Sequence, residues 1–215
     1  MKKEVDPNFL VKQYDATNPI KINHSYLREQ FEDYKQIFER LEQLVAVDTD
    51  YTLGRPVAEF EESIRRVVKT NYALGVNSGT DALFLSLKAL GIKRGDEVIT
   101  VPYTFFATTG AIAQTDAVPV YVDIGEDYNL NPDLIEKVIS PRTKAILPVH
   151  WSGNPCDMDA IMDIAKRKGL HVVEDACQAI GARYKDRPVG SFGDAAAFSM
   201  HPLKNLNVWG DGGFL

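Results

Sequence analysis

The stretch EVITVPYTFFATTGA, residues 97–111, joins a short apolar run to a segment of helical character. Pro102 ends the apolar run, because proline cannot donate to the hydrogen-bond ladder of a central strand, and Phe105 and Phe106 open the next helix. A short apolar strand followed directly by a helix is the repeating unit of parallel sheets with helical crossovers. The stretch therefore predicts an α/β fold.

The same alternation continues on both sides of this stretch. Six short apolar runs are predicted strands: YALGV, EVITVP, VPVYVD, AILPVH, HVVEDA and AAAFSM. We expect the connecting helices near residues 80–90, 106–115, 132–139 and 157–168, and another strand begins in GDGGFL. The pattern predicts a three-layer α/β/α sandwich with a mostly parallel sheet.

An amphipathic helix is predicted ahead of the sheet, between Tyr26 and Val45. Its apolar residues recur every three or four positions, with charges on the other side. A second helical pattern follows the Gly-Arg-Pro turn of residues 54–56. We therefore divide the chain into residues 1–50, an N-terminal arm and helix packing on the large domain, and residues 51–215, the large domain itself.

Composition and charge exclude several classes of function. The 215 residues carry a net charge of -6, which opposes binding to nucleic acid or to anionic lipid. The first ten residues lack the apolar core of a secretory signal, and no run approaches membrane-spanning length. Two cysteines, Cys156 and Cys177, require no disulfide framework. We therefore expect a cytoplasmic protein.

Residues after the predicted strands are candidates for a site, because ligands bind beyond the carboxyl ends of strands in open α/β sheets. After the first strand, the sequence Asn-Ser-Gly-Thr, residues 77–80, opens directly into a helix. Free amides at the helix start, with the hydroxyls of Ser78 and Thr80, suit a phosphate group. Simple helix capping by serine or threonine is the alternative.

Two further positions carry aromatic and acidic residues. One of the rings of Phe105 and Phe106 would face a flat ligand, although aromatic residues at such positions usually belong to the core. Glu174 and Asp175 end the fifth strand and point to opposite sides, so at most one faces a site. That carboxylate would hold a cationic ring nitrogen, and the amide of Gln178 would donate to a phenolic oxygen. The alternative is that the acid only caps a helix or is solvated.

Lys204 lies in FSMHPLKNLNVWGDGG, residues 198–213, between an apolar run and a cluster of glycines. A lone lysine in a polar loop is usually only a solvated charge. This lysine follows an apolar strand and Ser199, and a partly desolvated lysine can form a Schiff base. A phosphate anchor, an aromatic ring, an acid for a ring nitrogen and an amine for an aldehyde together describe a site for pyridoxal 5'-phosphate.

Several motifs resemble those of one enzyme family: NSGTDAL, GDEVITVPYTFFAT, PVYVDI, PRTKAILPVHWSGNPCDMDAI, VVEDACQAIGA and SMHPLKNL. They are similar to the sugar aminotransferases of the DegT and StrS type, pyridoxal-phosphate enzymes of fold type I, from about Phe31 onward. The resemblance implies amino transfer, usually from L-glutamate, to a nucleotide-linked keto-sugar by a homodimer. It also implies a small second domain that this sequence does not reach, so we expect a fragment, truncated at the C-terminal end of its large domain.

The resemblance also implies roles for individual residues. Lys204 and Asp175 match the catalytic residues, the Schiff-base lysine and the partner of the pyridine nitrogen. Gln178 matches the residue beside the cofactor's phenolic oxygen, and Phe105 matches the residue that stacks on the cofactor's ring. The residues expected to hold the phosphate are Gly79, Thr80 and Ser199.

Three other functions remain as alternatives. Relatives with histidine at the position of Lys204 are sugar dehydratases, so lysine favours transamination. The second alternative is a non-catalytic fragment that binds the cofactor or has a regulatory role. Zinc is the third and the least favoured, because the six-residue spacing of His150 and Cys156, repeated at His171 and Cys177, is not a recognised ligand spacing. We therefore predict no metal site.

Some positions near the motifs depart from the family pattern. Met200, Trp151 and Trp209 differ from the residues common in the family, so we expect the sugar pocket to differ. His201 is interpreted as structural or as shaping that pocket.

Overall fold

A computed structural model describes residues 30–50 and 52–215, and these divide into two compact units with the boundary between Val47 and Asp48. The first unit contains helix α1 (Tyr34–Glu42), followed by a π-helical turn at Gln43–Val47. Tyr34 and Leu41 of the predicted apolar stripe are exposed. The part of the predicted helix from residue 26 to residue 29 lies outside the described residues, and its packing on the large domain stays a prediction.

The second unit is built on a seven-stranded sheet in the order β1-β9-β8-β5-β4-β2-β3. Strands β8, β5, β4, β2 and β3 are parallel, whereas β9 runs antiparallel to both of its neighbours. The strands of the sheet are β1 (Gly75–Val76), β2 (Glu97–Thr100), β3 (Val118–Tyr121), β4 (Thr143–Ile146), β5 (His171–Asp175), β8 (Ala195–Ser199) and β9 (Gly213–Phe214). The six predicted strands are all present, and β9 confirms the strand predicted in GDGGFL.

A short hairpin was not predicted from the sequence. Strand β6 (Arg183–Tyr184) pairs with β7 (Arg187–Pro188) outside the main sheet. The turn between them places Lys185 and Asp186 at positive φ. Such turns normally carry asparagine, aspartate or glycine first and glycine second, so the pair Lys-Asp is not a turn signal.

Five helices flank the sheet, and their ends follow from capping residues. They are α2 (Arg55–Val68), α3 (Gly79–Ala89), α4 (Phe106–Gln114), α5 (Pro132–Val138) and α6 (Met158–Lys168). Ser78 and Asp157 cap α3 and α6 by accepting backbone N–H groups, and Gly169 ends α6 in the left-handed conformation. The last four helices match the predicted ranges to within one residue at each end. None of the described helices combines the length and the apolar character that crossing a membrane would need.

The central strands are buried on both faces. Val98, Ile99 and Thr100 of β2 are each fully buried, although successive strand residues point to opposite sides. Both faces must therefore be covered, as in parallel sheets generally. The structure confirms the predicted α/β class with a mostly parallel central sheet.

Strand β9 positions the start of α3. A side chain at Gly213 would lie 2.4 Å from the carbonyl carbon of Ser78 and 2.7 Å from the backbone nitrogen of Gly79. Only glycine permits this approach of two backbones. Because Gly213 also pairs with Ser199 of β8, the start of α3 is held beside the carboxyl end of β8.

Candidate active site

A cavity of about 550 Å³ opens beyond the carboxyl ends of β5 and β8, beside the starts of α3 and α4. All seven residues assigned to a cofactor from the sequence line it: Gly79, Thr80, Phe105, Asp175, Gln178, Ser199 and Lys204. The structure therefore brings together side chains that are up to 125 positions apart in the chain. Their individual roles stay predictions.

Asp175 presents its carboxylate to the cavity from the end of β5. The hydroxyl of Thr108 donates to Oδ2 at 2.7 Å, and the backbone N–H of Cys177 donates to Oδ1 at 3.2 Å. The side chain is buried, with 5% of the residue's surface exposed. The interpretation of this acid as a solvated group is thus wrong, and its carboxylate is held in one orientation.

Glu174 points to the other side of β5, as the alternation of strand residues predicts. Its carboxylate accepts the backbone N–H groups of Gly190, Phe192 and Gly193, at 2.7 to 2.8 Å, and contacts Nε2 of His150 at 3.1 Å. Burial raises the pKa of Glu174, but the hydrogen bonds from His150 and these N–H groups outweigh it and leave the pKa below its ordinary value.

The protonation of His150 follows from its two contacts. Its Nδ1 accepts the backbone N–H of Cys156 at 3.0 Å, so this nitrogen carries no proton. The proton of the neutral ring is therefore on Nε2, which donates to Glu174. His150 and Cys156 thus have protein partners, and burial raises the pKa of the Cys156 thiol to about 12. The described residues contain no group of three or more potential metal ligands.

The start of α3 offers two open amides to the cavity. The Ser78 hydroxyl accepts the N–H of Asp81 at 3.0 Å, and the Ser78 carbonyl accepts the N–H of Ala82. Ser78 therefore acts as a helix cap, as the alternative interpretation predicts. Because its oxygen accepts this N–H, the hydroxyl proton stays available, and its role toward an anion stays a prediction. The N–H groups of Gly79 and Thr80 have no partner within the helix, and these two residues line the cavity.

Gly79 is required by the packing beneath this helix start. A β-carbon at residue 79 would lie 2.7 Å from Cβ of Ser199 and 2.8 Å from Sγ of Cys177. We expect Gly79→Ala to lower the free energy of unfolding by about 1–3 kcal/mol, as for other overpacked sites. Urea unfolding followed by circular dichroism measures this change.

Gly110 in α4 provides the matched control for this prediction. No atom lies within 4 Å of the position that a β-carbon of residue 110 would occupy. Gly110→Ala should therefore raise stability by about 0.5–1 kcal/mol, the ordinary gain of alanine over glycine in a helix. Equal effects of the two substitutions would contradict the argument from close packing.

The aromatic pair at the start of α4 is not part of the core. Phe105 and Phe106 are 58% and 75% exposed, and their ring centroids are 4.5 Å apart. The interpretation of these rings as core residues is wrong, since both line the cavity instead. A ring at residue 105 is therefore available to a ligand.

Gln178 connects the cavity to the turn after β4. Its Oε1 accepts the backbone N–H of Ser152 at 3.1 Å, and Ser152 has a φ of 52°. Trp151, which precedes Ser152 in the chain, packs against Tyr103 with ring centroids 4.7 Å apart. The amide nitrogen of Gln178 is thus left for a ligand in the cavity.

Lys204 lies in a tight turn after β8. Its N–H donates to the carbonyl of His201 at 2.8 Å, and Nδ2 of Asn207 donates to its carbonyl at 2.9 Å. The side chain is half-buried, and its ammonium has no hydrogen bond or ion pair to another described residue. His201 accepts the N–H of Leu203 through Nδ1 and also lines the cavity, which fits its interpretation as shaping the pocket.

Sequence analysis missed two threonines of the site. Thr104 and Thr108 both line the cavity, and their hydroxyl oxygens are 2.8 Å apart. The spacing of four residues at a helix start would have placed them on one face. Their contact with Asp175 depends on the tertiary fold, and the sequence carries no signal for it.

Comparison with known proteins gives a family match over most of the chain. Residues 32–215 match the model of the DegT/DnrJ/EryC1/StrS aminotransferase family. A relative from Streptomyces venezuelae, dTDP-3-amino-3,4,6-trideoxy-alpha-D-glucose transaminase, is 51% identical over 164 residues, which cover 76% of this chain and 43% of the relative. The match begins close to Phe31, where the resemblance in the sequence was placed.

Solved structures share the same fold. DesV of S. venezuelae, in complex with a ketimine intermediate, is 45% identical, with a TM-score of 0.85 over 90% of this chain and 52% of that one. The ntda protein of Bacillus subtilis, with bound cofactor PMP, is 38% identical, with a TM-score of 0.77 over 84% of this chain and 41% of that one. The chain thus spans about half the length of the relatives it matches.

Proposed function

The chain belongs to the DegT/DnrJ/EryC1/StrS aminotransferase family, and from this premise we propose that it serves the pyridoxal-phosphate-dependent amination of a nucleotide-linked keto-sugar. The observation that carries the proposal is the single cavity that Lys204, Asp175 and the open helix start of Gly79 share. The name of the Streptomyces relative supports a deoxynucleotide-linked sugar as the class of product.

The residues present fit pyridoxal phosphate. Two free amides at a helix start suit a phosphate, the oriented carboxylate of Asp175 suits a protonated ring nitrogen, and the exposed ring of Phe105 suits a flat heterocycle. The cavity of about 550 Å³ is within the size range of cofactor sites. When bound, the cofactor would supply an aldehyde and an electron-withdrawing ring.

Each residue then has a defined task. Asp175 keeps a proton on the ring nitrogen, because an ionised carboxylate favours the charged form of its partner. Lys204 would hold the cofactor through a bond from its amine to the aldehyde carbon, formed with loss of water, and the amino group of the substrate would displace it. The freed amine would then take a proton from the α-carbon of the amino acid and deliver it to the former aldehyde carbon. Gln178 donates to the phenolic oxygen, and Gly79, Thr80 and Ser199 hold the phosphate.

The proposal also covers the amino donor, the oligomeric state and the cellular compartment. We infer L-glutamate as the amino donor, a homodimer as the working assembly and the cytoplasm as the location. A dehydratase is disfavoured by lysine rather than histidine at position 204. A cofactor-binding module without catalysis is the second candidate, because the residues assigned in the cavity are all assigned to the cofactor and none to the amino donor.

Absorption spectroscopy of the purified chain tests the proposal. Added pyridoxal phosphate should give a yellow protein that borohydride bleaches, and L-glutamate should change its spectrum whereas D-glutamate should not. A chain that binds the cofactor and ignores L-glutamate would be a binding module. A colourless chain that takes up no pyridoxal phosphate would refute both functions.

Asp175→Asn should weaken the binding of pyridoxal phosphate. The amide replaces a charge-assisted hydrogen bond, worth about 1.5–3 kcal/mol, by a neutral one, so we expect the dissociation constant to rise by roughly 10-fold or more. Spectrophotometric titration measures it. Asp163→Asn, at an exposed carboxylate paired with Arg167, is the control and should bind like the unchanged chain. Equal affinities for all three proteins would remove Asp175 from the site.

A further inference from the structure

Asp175 ends a series of hydrogen-bonded side chains that begins with Thr104 in the cavity wall and passes through the buried Thr108. Thr108 is 1% exposed and lies 2.7 Å from Oδ2 of Asp175, and the hydroxyl of Thr104 lies 2.8 Å from that of Thr108. Thr104 and Asp175 flank Thr108, and all three line the cavity.

The direction of these hydrogen bonds follows from the chemistry of the groups. An ionised carboxylate only accepts hydrogen bonds, so the single proton of the Thr108 hydroxyl goes to Asp175. The Thr108 oxygen must then accept from the hydroxyl of Thr104. The order of donation therefore runs from Thr104 through Thr108 to Asp175.

The carboxylate of Asp175 keeps free acceptor capacity in this arrangement. The Thr108 hydroxyl occupies one acceptor position on Oδ2, and the Cys177 N–H occupies one on Oδ1. Each carboxylate oxygen has two such positions, so one remains on each oxygen. The two donors come from different elements, helix α4 and the segment after β5, and together they fix the rotation of the carboxylate.

We propose that Thr108 is a positioning residue, which holds the Asp175 carboxylate in the orientation that receives the ring nitrogen of pyridoxal phosphate. This inference rests on the proposed function and adds a residue to it. Thr108 contributes to cofactor binding through Asp175 alone, so its effect depends on the presence of a nitrogen in the ligand ring.

Three variants and two ligands separate positioning from mere packing. Thr108→Val keeps the shape and removes the hydroxyl, and Thr108→Ser keeps the hydroxyl. Thr109→Val is the control on the same helix, where the Thr109 hydroxyl accepts from Tyr121 and is not part of the cavity lining. The ligands are pyridoxal phosphate and its 1-deaza analogue, in which a C–H group replaces the ring nitrogen. Dissociation constants are measured by spectrophotometric titration of the whole chain.

We expect Thr108→Val to weaken pyridoxal phosphate binding about tenfold, or about 1.4 kcal/mol, and to change binding of the deaza analogue less than twofold. Thr108→Ser and Thr109→Val should bind both ligands like the unchanged chain. If Thr108→Val does not fold, Thr108→Ala replaces it with the same expectation.

Two results would overturn the inference. Unchanged affinity of Thr108→Val for pyridoxal phosphate would show that the hydroxyl plays no part, and equal weakening for both ligands would show a structural effect alone. These outcomes leave the proposed function standing if the unchanged chain binds pyridoxal phosphate. Failure of the unchanged chain to bind it would refute the proposed function and this inference together.

Discussion

We expect Lys204→Ala to abolish the covalent capture of pyridoxal phosphate by the chain. The cavity holds no other lysine among its lining residues, and alanine has no amine to bond an aldehyde. After mixing with pyridoxal phosphate and borohydride, the unchanged chain should gain the mass of one reduced cofactor on the peptide that contains residue 204. The variant should show no modification at that peptide, and amino transfer should fall by at least about a thousandfold, as for the loss of other covalent catalysts.

Lys185→Ala is the control for this experiment. Lys185 is an exposed lysine of the β6–β7 hairpin, where its ammonium pairs with Asp159. Its loss should leave the labelling of the Lys204 peptide unchanged. Labelling of the Lys204→Ala chain at another single lysine, with full yield, would contradict the assignment of Lys204.

Glu174→Ala should lower the free energy of unfolding by about 3–5 kcal/mol, because it leaves several buried hydrogen-bond donors unsatisfied at about 1–3 kcal/mol each. The substitution leaves three backbone N–H groups, at Gly190, Phe192 and Gly193, without their acceptor. It also removes the acceptor of His150. This loss is a large share of the 5–15 kcal/mol typical of a domain. Urea unfolding at pH 7 measures it, with Glu126→Ala, at an exposed carboxylate, as a control that should unfold like the unchanged chain.

The pH dependence of Glu174→Gln gives a second test of the same network. Because the pKa of Glu174 is lower in the folded than in the unfolded chain, its stabilising contribution is complete above the unfolded value of about 4.3. The contribution is lost as the pH falls through the folded pKa. The difference in unfolding free energy between the unchanged chain and the variant should therefore be constant from about pH 7 to pH 5.5 and shrink below about pH 4.3. A difference that grew on acidification would contradict the lowered pKa.

Local signals account for the parts of the fold that the sequence predicted. Ser78 and Asp157 cap their helices through contacts three residues away, and Gly169 ends α6 by its own backbone conformation. The opposite directions of Glu174 and Asp175 follow from the period of two along a strand. Such features need only a few neighbouring residues, so they are visible in the sequence.

Features that depend on distant residues were not predicted. The hydrogen bond from Thr108 to Asp175 spans 67 positions, and that from Ser152 to Gln178 spans 26. The exposure of Phe105 and Phe106 is likewise set by what packs around them, because aromatic residues after a buried strand are usually covered. A serine before a helix suits both capping and anion binding, so the sequence left both roles of Ser78 open, and the structure shows the capping contact.

The place of β9 between β1 and β8 has a consequence for biosynthesis. Gly75 and Val76 of β1 pair with Phe214 and Gly213, residues that leave the ribosome more than a hundred positions later. The edge of β1 that pairs with β9 therefore stays unpaired while the intervening chain is translated, and contacts of such long sequence separation form slowly. Because Gly213 packs against Ser78 and Gly79, the start of α3 reaches its final surroundings only after β9 has been made, and until then the unpaired edge of β1 is open to pairing with another chain.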